Sequence, residues 1–279
     1  MMRTVVRALT PADIPSAMEL SKAAKWNQTP EDWFRVLQLA REGFRCVEAA
    51  GKIAATASLL PYGTRLAWIG MVLTRPEYRR QGYARELVED LIVRAEANKI
   101  RTLKLDATDD GRPLYEKLGF IVEETVERWG LSVPDVAVQG KGDAGDMKIP
   151  NEVFSLDEAA FGVSRKDLLE SLWKLGRCTV AAGGYVLSRP GATARYLGPC
   201  VAASEAKAES LIATHLENDS SDGTSRDWYW DLLPANTGAV RCAQKFGFTL
   251  RRTLWRMRRG EMMENNNAMV YAIAGFELG

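Results

Sequence analysis

Trp68-Ile-Gly-Met-Val-Leu-Thr-Arg-Pro-Glu-Tyr-Arg-Arg-Gln-Gly-Tyr-Ala-Arg-Glu-Leu87 is the stretch on which the fold reading turns. Its apolar start belongs to a strand predicted over Leu66–Leu73. Pro76 forces a turn, and Arg79-Arg80-Gln81-Gly82-Tyr83-Ala84 leads into an amphipathic helix predicted over Gln81–Asn98, with Leu87, Leu91 and Ala95 on its buried side. A strand–loop–helix junction aims several unpaired backbone N–H groups into one concavity, and the helix dipole adds positive potential there. Gly82 and the small Ala84 let a phosphate approach the main chain closely. Charge-assisted hydrogen bonds of this type contribute about 1.5–3 kcal/mol each, so three or four of them anchor a pyrophosphate.

Working outward, strands are predicted at Arg3–Leu9, Phe44–Ala49 and Lys52–Leu60. Helices start at Thr10-Pro-Ala-Asp and at Thr29-Pro30-Glu-Asp. Downstream come a strand at Thr102–Asp106, a helix at Arg112–Leu118 and a strand at Phe120–Trp129. Leu131–Pro150 is rich in Gly, Pro and Asp and lacks periodicity, which marks a linker with a ragged edge. The second half repeats the order. Helices are predicted at Arg165–Lys174, Glu205–Glu217 and Thr237–Lys245, and strands at Cys178–Leu187, Ala192–Leu197, Asp227–Leu232 and Phe248–Met257. Leu114-Tyr-Glu-Lys-Leu-Gly-Phe120 is echoed by Cys242-Ala-Gln-Lys-Phe-Gly-Phe248 at the same helix-to-strand junction. The expectation is two copies of one α/β plan, residues 1–133 and 151–279, joined by a linker at 134–150.

Composition narrows the function classes. A chain of 279 residues with 46% hydrophobic and 26% charged residues suits a soluble protein of two domains. Lys+Arg 37 against Asp+Glu 36, with no clustered basic stripe, argues against a nucleic-acid partner. The scattered Cys46, Cys178, Cys200 and Cys242 read as reduced, partly buried thiols with no metal site. No apolar run spans a bilayer, and the first residues read as a strand and capped helix without a signal-peptide core, so the expected location is the cytoplasm.

With Arg79, Gly82 and Ala84 in the pattern Gln/Arg-x-x-Gly-x-Gly/Ala, the chain resembles the GNAT superfamily of N-acetyltransferases. Trp68–Leu73, Leu105-Asp-Ala-Thr108, Gly111–Phe120, Lys25-Trp-Asn-Gln-Thr29 and Asp32-Trp33 extend the resemblance to bacterial tandem GNAT proteins whose second half is a diverged copy. The resemblance implies two tandem GNAT folds of mixed, mostly antiparallel sheets flanked by helices. It also implies acetyl-CoA as cosubstrate, with no metal, and an amine on a small molecule or peptide as acceptor, in a monomer or homodimer. The residues implied to hold CoA are Met71, Val72, Leu73, Arg79, Arg80, Gln81, Gly82, Tyr83, Ala84, Arg85, Thr108 and Tyr115. Met71–Leu73 would pair with the pantetheine arm like an added strand, and a main-chain N–H near Met71 or Val72 would receive the thioester oxygen. Thr108 stands where the family often has an asparagine.

Acetyl transfer to an amine needs a neutral amine, a polarised carbonyl and a proton for the departing thiolate. Tyr115 matches the tyrosine that many GNAT enzymes use as the acid. The base is less evident: Trp68, Gly70 and Met71 cannot accept a proton, which leaves Asp106 or a water chain. Trp26 and Asn27, with Gln28, lie in the loop that overhangs the acceptor site in GNAT folds, and Trp68 is grouped with them as acceptor-binding. Scattered thiols disfavour a covalent acyl-enzyme, so direct attack in a ternary complex is expected. The second half has no Arg-x-x-Gly-x-Gly pattern, places Glu205 and Glu209 where a pyrophosphate would be repelled, and has Ala243 opposite Tyr115. It is expected to be inactive, with Arg226, Trp228 and Trp230 either facing a cleft or packed as core. His215 is expected on a solvated helix surface. A CoA-binding sensor without turnover is the rival reading.

Overall fold

The computed structural model describes residues 4–132, 148–218 and 227–279. By internal contacts the chain forms two compact units. The first comprises Met1–Val122, Met257–Met262 and Glu277–Gly279; the second comprises Glu123–Arg256 and Met263–Phe276. These divide the chain differently from segments 1–133 and 151–279, because each unit takes in residues that lie far away in sequence.

In the first unit, strand β1 (Thr4–Ala8) is followed by helices α1 (Ile14–Ala23) and α2 (Pro30–Ala40), then by β2 (Phe44–Ala49), β3 (Lys52–Tyr62) and β4 (Leu66–Thr74). Helix α3 (Tyr83–Ala97), β5 (Thr102–Ala107) and α4 (Arg112–Lys117) come next, before the start of β6 (Ile121–Leu131). Strands β1 to β4 form an antiparallel meander, and β5 pairs parallel to β4. The end of β11 (Thr249–Gly260) lies beside β5, and Glu261 N donates to Arg101 O.

Local chemistry accounts for the ends of these helices. Thr29 Oγ1 accepts from Asp32 N while the Asp32 carboxylate accepts from Thr29 N, a reciprocal cap with Pro30 at the first helical position. Trp33 is core, stacked on Phe44 at 5.5 Å and donating to Ser21 Oγ. Leu87, Val88, Leu91, Ile92 and Ala95 form the buried stripe of α3.

The second unit repeats the plan. It contains α5 (Asn151–Phe161), α6 (Lys166–Leu175), β7 (Arg177–Ala181), β8 (Gly184–Arg189), β9 (Arg195–Ala202), α7 (Glu205–Glu217), β10 (Trp228–Leu232), α8 (Thr237–Lys245) and β12 (Val270–Ala272). Its strand order runs from β11 through β6, β10, β9 and β8 to β7, with β12 on β9. Strands β7, β8 and β9 are antiparallel, and β10 is parallel to β9. The predicted strand Cys178–Leu187 is two strands, because the left-handed Gly183 turns the chain between β7 and β8. Helix α5 and strand β12 have no counterpart in the sequence reading. Trp228 and Trp230 are both core, with Trp230 edge-on to Phe248 at 5.3 Å; Arg226 lies outside the described residues.

His215 corrects its expectation. It is fully buried on the inner face of α7, with Nδ1 2.8 Å from Thr179 Oγ1 and Nε2 2.8 Å from Ser188 Oγ. Both hydroxyls donate or accept as the ring tautomer requires, so a polar ring is satisfied inside the core. Burial lowers its pKa to about 3, which keeps it neutral.

Candidate active site

The site of the first unit begins where β4 and β5 part. Their parallel register runs from Leu66↔Thr102 to Trp68↔Lys104, while β4 continues to Thr74 and β5 to Ala107. Beyond that last pair the two strands form a fork. On its other side β4 carries a bulge against β3: Ser58 faces Gly70 and Thr56 faces Leu73, three steps on β4 for two on β3. Met71 sits in this bulge at φ +50, a left-handed conformation uncommon for a side-chain-bearing residue, and Thr56 Oγ1 donates to its carbonyl at 2.8 Å. The bulge re-aims the main chain of Met71–Leu73 at the fork.

The loop that follows is tied down at its start. Arg75 donates from Nε to Ile53 O at 2.6 Å and from Nη2 to Ser16 O and Glu19. Arg79, Arg80, Gln81 and Gly82 are exposed. Arg80 at φ +62 and Gly82 at φ +89 both take up left-handed backbone in the loop before α3. Gly82 is the N-cap of α3 and supplies no side-chain cap, so the first amides of Tyr83, Ala84 and Arg85 have no capping side chain. A Cβ built on Gly82 meets nothing within 4 Å. The glycine is required by its φ, and the space above it is open. Arg85 is exposed and pairs with Glu89, while Tyr83 packs against Tyr78.

Tyr115 lies on α4, buried edge-on against Phe120 at 6.0 Å and in contact range of Gly111. Burial raises its phenol well above the ordinary value, so it stays protonated across neutral pH. Thr108, exposed at the end of β5, uses its hydroxyl and carbonyl to accept from Gly111 N and its carbonyl to accept from Arg112 N. Asp106 is half-buried on the β5 arm of the fork and makes interactions of its own. Cys46, the cysteine of this unit, is buried against the Arg7 carbonyl, its thiol pushed up to about 11 by desolvation. That is the state of an inert packing thiol.

Two features were not legible in the sequence. Residues Glu277–Gly279 belong to the first unit and lie on the Trp68–Gly70 face of β4. A Cβ on Gly279 would meet the Trp68 ring at 2.7 Å, one on Gly70 would meet Glu277 O at 2.7 Å, and Tyr62 Oη donates to Leu278 O at 2.5 Å. Trp68 is therefore 1% exposed: the ring grouped with the acceptor residues is a floor under the chain end and presents no open face. Trp26 is half-buried and Asn27 buried in the α1–α2 connection.

The second feature is in the other unit. Strands β9 and β10 also part after their last parallel pair, Leu197↔Trp230. There β12 fills the fork, pairing with β9 at Val270↔Val201 and Ala272↔Cys200, and Ile273 N donates to Asp231 O at 2.9 Å. Asn236 Nδ2 reaches the carbonyls of Asn267, Ala268 and Val270 at 2.9–3.3 Å while its Oδ1 accepts from Ala239 N. Helix α7 is capped by Ser204, which accepts from Lys207 N. Glu205 and Glu209 are paired to Arg241 and Lys245 at 2.5 Å, so the repulsion expected of them is largely offset. Among the described residues no group of three or more His, Cys, Asp or Glu is arranged to hold a metal, and no helix is long and apolar enough to cross a membrane.

A forked parallel strand pair, a bulge beside the fork and an uncapped helix start behind a glycine-led loop match the fold of acyl-CoA-dependent transferases. The chain belongs to the GNAT acetyltransferase family and carries two of its domains in tandem: the Acetyltransferase (GNAT) family profile matches residues 13–120, and an Acetyltransferase (GNAT) domain profile matches residues 153–272. Members of this family use an acyl-CoA cosubstrate and amine acceptors. The chain is 29% identical to an uncharacterised N-acetyltransferase, YitH, of Bacillus subtilis, over 71% of this chain and 73% of that one. It is 26% identical to a holothin acyltransferase of Pseudoalteromonas, over 94% and 90%. A solved acetyltransferase structure from Pyrococcus horikoshii shares the fold with a TM-score of 0.85 at 24% identity, covering 99% of this chain and 96% of that one. A tandem GNAT protein from the clavulanic acid biosynthesis pathway shares it with a TM-score of 0.62 at 13% identity, covering 94% and 100%.

Proposed function

We propose that the protein transfers an acetyl group from acetyl-CoA to a primary amine of a small molecule or peptide, by direct attack in a ternary complex at the fork of the first unit. The observation that carries this reading is the uncapped nest at Arg80–Gly82 with open space above it, next to a strand edge freed by the bulge at Met71. In this reading the amides from Arg79 to Ala84 hold the pyrophosphate, with Arg79, Arg80, Gln81 and Arg85 supplying the charged and polar rim. The main chain of Met71, Val72 and Leu73 pairs with the pantetheine arm, and the N–H of Met71 or Val72 polarises the carbonyl. Tyr115 protonates the leaving sulfur; its hydroxyl makes no hydrogen bond among the described residues, which leaves it available to a ligand. Trp26 and Asn27 border the amine. Residues 151–279 are a diverged copy whose role is structural.

Calorimetry with acetyl-CoA, followed by thiol release on a panel of primary amines, tests the proposal. One bound acetyl-CoA per chain and turnover that requires Tyr115 are expected. Binding without turnover on any amine, unaffected by Tyr115→Phe, would make the protein a CoA-binding sensor. No binding at all would remove the proposal.

A further inference from the structure

We infer that Glu277, delivered to the first unit by a segment remote in sequence, is the proton acceptor for the attacking amine. The inference rests on the acyl-transfer reading above and supplies the residue it lacks. Strand β4, Leu66-Ala-Trp-Ile-Gly-Met-Val-Leu-Thr74, has no side chain able to accept a proton at neutral pH. Glu277 lies against this strand at Gly70, the residue before the bulge: a Cβ on Gly70 would stand 2.7 Å from Glu277 O, 2.9 Å from its Cα and 3.0 Å from its Cβ. The main-chain N–H assigned to the thioester oxygen is that of Met71 or Val72, one or two residues along. Glycine at position 70 is what allows the approach, since any side chain there would lift Glu277 off the strand. The bond from Tyr62 to Leu278 and the packing of Gly279 on Trp68 hold the segment in place.

Burial and a second polar group point the same way. Glu277 is 5% exposed, so its side chain is held within the packed face of the strand. Ser58 is the register partner of Gly70 on β3, so its side chain shares the face on which Glu277 lies. That serine is fully buried, and its Oγ meets no hydrogen-bond partner among the described residues. An unmet buried hydroxyl costs about 1–3 kcal/mol. A polar ligand atom beside Glu277, such as the attacking nitrogen, completes it.

The proton balance is closed. Glu277 takes the proton shed by the amine nitrogen as its bond to the acyl carbon forms, Tyr115 gives its phenolic proton to the sulfur whose bond to that carbon breaks, and exchange with water restores both side chains.

The test uses the full chain with Glu277→Gln, Glu277→Asp and Asp106→Asn. Acetyl-CoA affinity measured by calorimetry should stay within about 3-fold in Glu277→Gln, because the nest and strand edge are untouched. Acetyl release to the amine panel, and to water when no amine is added, should fall about 10²-fold in Glu277→Gln and lose the acidic limb of its pH–rate profile. Glu277→Asp should keep that limb. The inference is overturned by a parent-like profile in Glu277→Gln, by transfer of the loss to Asp106→Asn, by equal loss in both Glu277 variants with a lowered melting temperature, or by no acetyl release to any amine or to water. Failure of acetyl-CoA to bind would instead remove the reading on which it rests.

Discussion

Both units open a parallel strand pair into a fork, and the chain treats the two forks in opposite ways. Both β4 and β9 carry a bulge against the neighbouring strand, but in the first unit a glycine-led loop leaves the start of α3 uncapped. In the second, Pro199 follows Gly198 at the corresponding place on β9, so one main-chain donor is missing; Ser204 caps α7; and β12 lies along β9. In both copies a glycine near the fork, Gly70 on β4 and Gly198 on β9, is covered by a carbonyl from the last stretch of the chain, Glu277 O and Ile273 O. The inward-facing carboxylates differ in the same sense. Asp231 is fully buried, locked by two hydrogen bonds from Arg128 at 2.6 and 2.7 Å and one from Tyr196, whereas Asp106 remains half-buried. The two copies thus differ less in a charged motif than in what lies along the forked strand: β12 on β9, and no protein strand at the freed edge of β4 among the described residues.

The largest effect that sharpens this contrast is expected at the nest. Gly82→Val puts a β-branched side chain at φ +89 and fills the space above the loop. Loss of two phosphate hydrogen bonds amounts to about 3 kcal/mol, so acetyl-CoA affinity by calorimetry should fall about 100-fold or more, and backbone strain at this φ should also lower the melting temperature of the apoprotein. The reciprocal change, Ser204→Gly, should create no second site, since β12 still fills that fork. Appearance of two bound acetyl-CoA molecules would break the comparison.

Tyr115→Phe comes next. It should lower kcat about 100-fold with acetyl-CoA affinity kept within about 2-fold, because the hydroxyl is assigned to the chemical step and the ring to packing on Phe120. A matched fall in affinity and kcat would make the ring a cofactor contact only.

Asn236→Ala addresses the filled fork. It removes an N-cap and leaves three carbonyls of the 267–270 segment without their shared donor. The cost should be about 2–3 kcal/mol, seen as a fall of roughly 4–12 °C in melting temperature at unchanged acetyl-CoA affinity. An unaltered melting curve would mean that β12 is held by other contacts.

The sequence made the strand–loop–helix order of β4 and α3 legible because its determinants are local: Pro76, Arg79, Gly82 and Ala84 lie within one loop between two strongly patterned elements. Helices α7 and α8 lie where the sequence places them, Glu205–Glu217 and Thr237–Lys245, and the structure shows each behind a local cap, Ser204 and Asn236. What stayed hidden is non-local. Strand β12 is three residues long and is paired with β9, some seventy positions away, and nothing in Glu277-Leu-Gly279 announces that it rests on Trp68 and Gly70. The acceptor role given to Trp68 fails on the same ground, since whether an aromatic side chain is a wall or a floor depends on what covers it.

His215 offers the smallest effect and bears on the comparison from inside the core. The buried residues of α7, Ala208, Leu211, Ile212 and His215, have the spacing of Val88, Leu91, Ile92 and Ala95 in α3, so a neutral imidazole replaces a methyl at the last position. Its pKa is lowered from 6.5 to about 3, first by burial and then by Arg177 and Arg195. Below pH 6.5 the unfolded chain binds a proton that the folded chain refuses. The stabilisation is therefore complete above 6.5 and declines as pH falls towards the folded value, by at most about 1.4 kcal/mol per pH unit. Denaturant midpoints measured from pH 7 to pH 4.5 should show this slope in the parent chain and a flatter one in His215→Gln, whose side chain still reaches one hydroxyl. Acetyl-CoA affinity should not follow it, because the nest belongs to the unit whose helix has alanine at that position. Equal slopes in both chains would place the acid sensitivity elsewhere, and a parallel loss of acetyl-CoA binding would show that the filled copy still governs the open one.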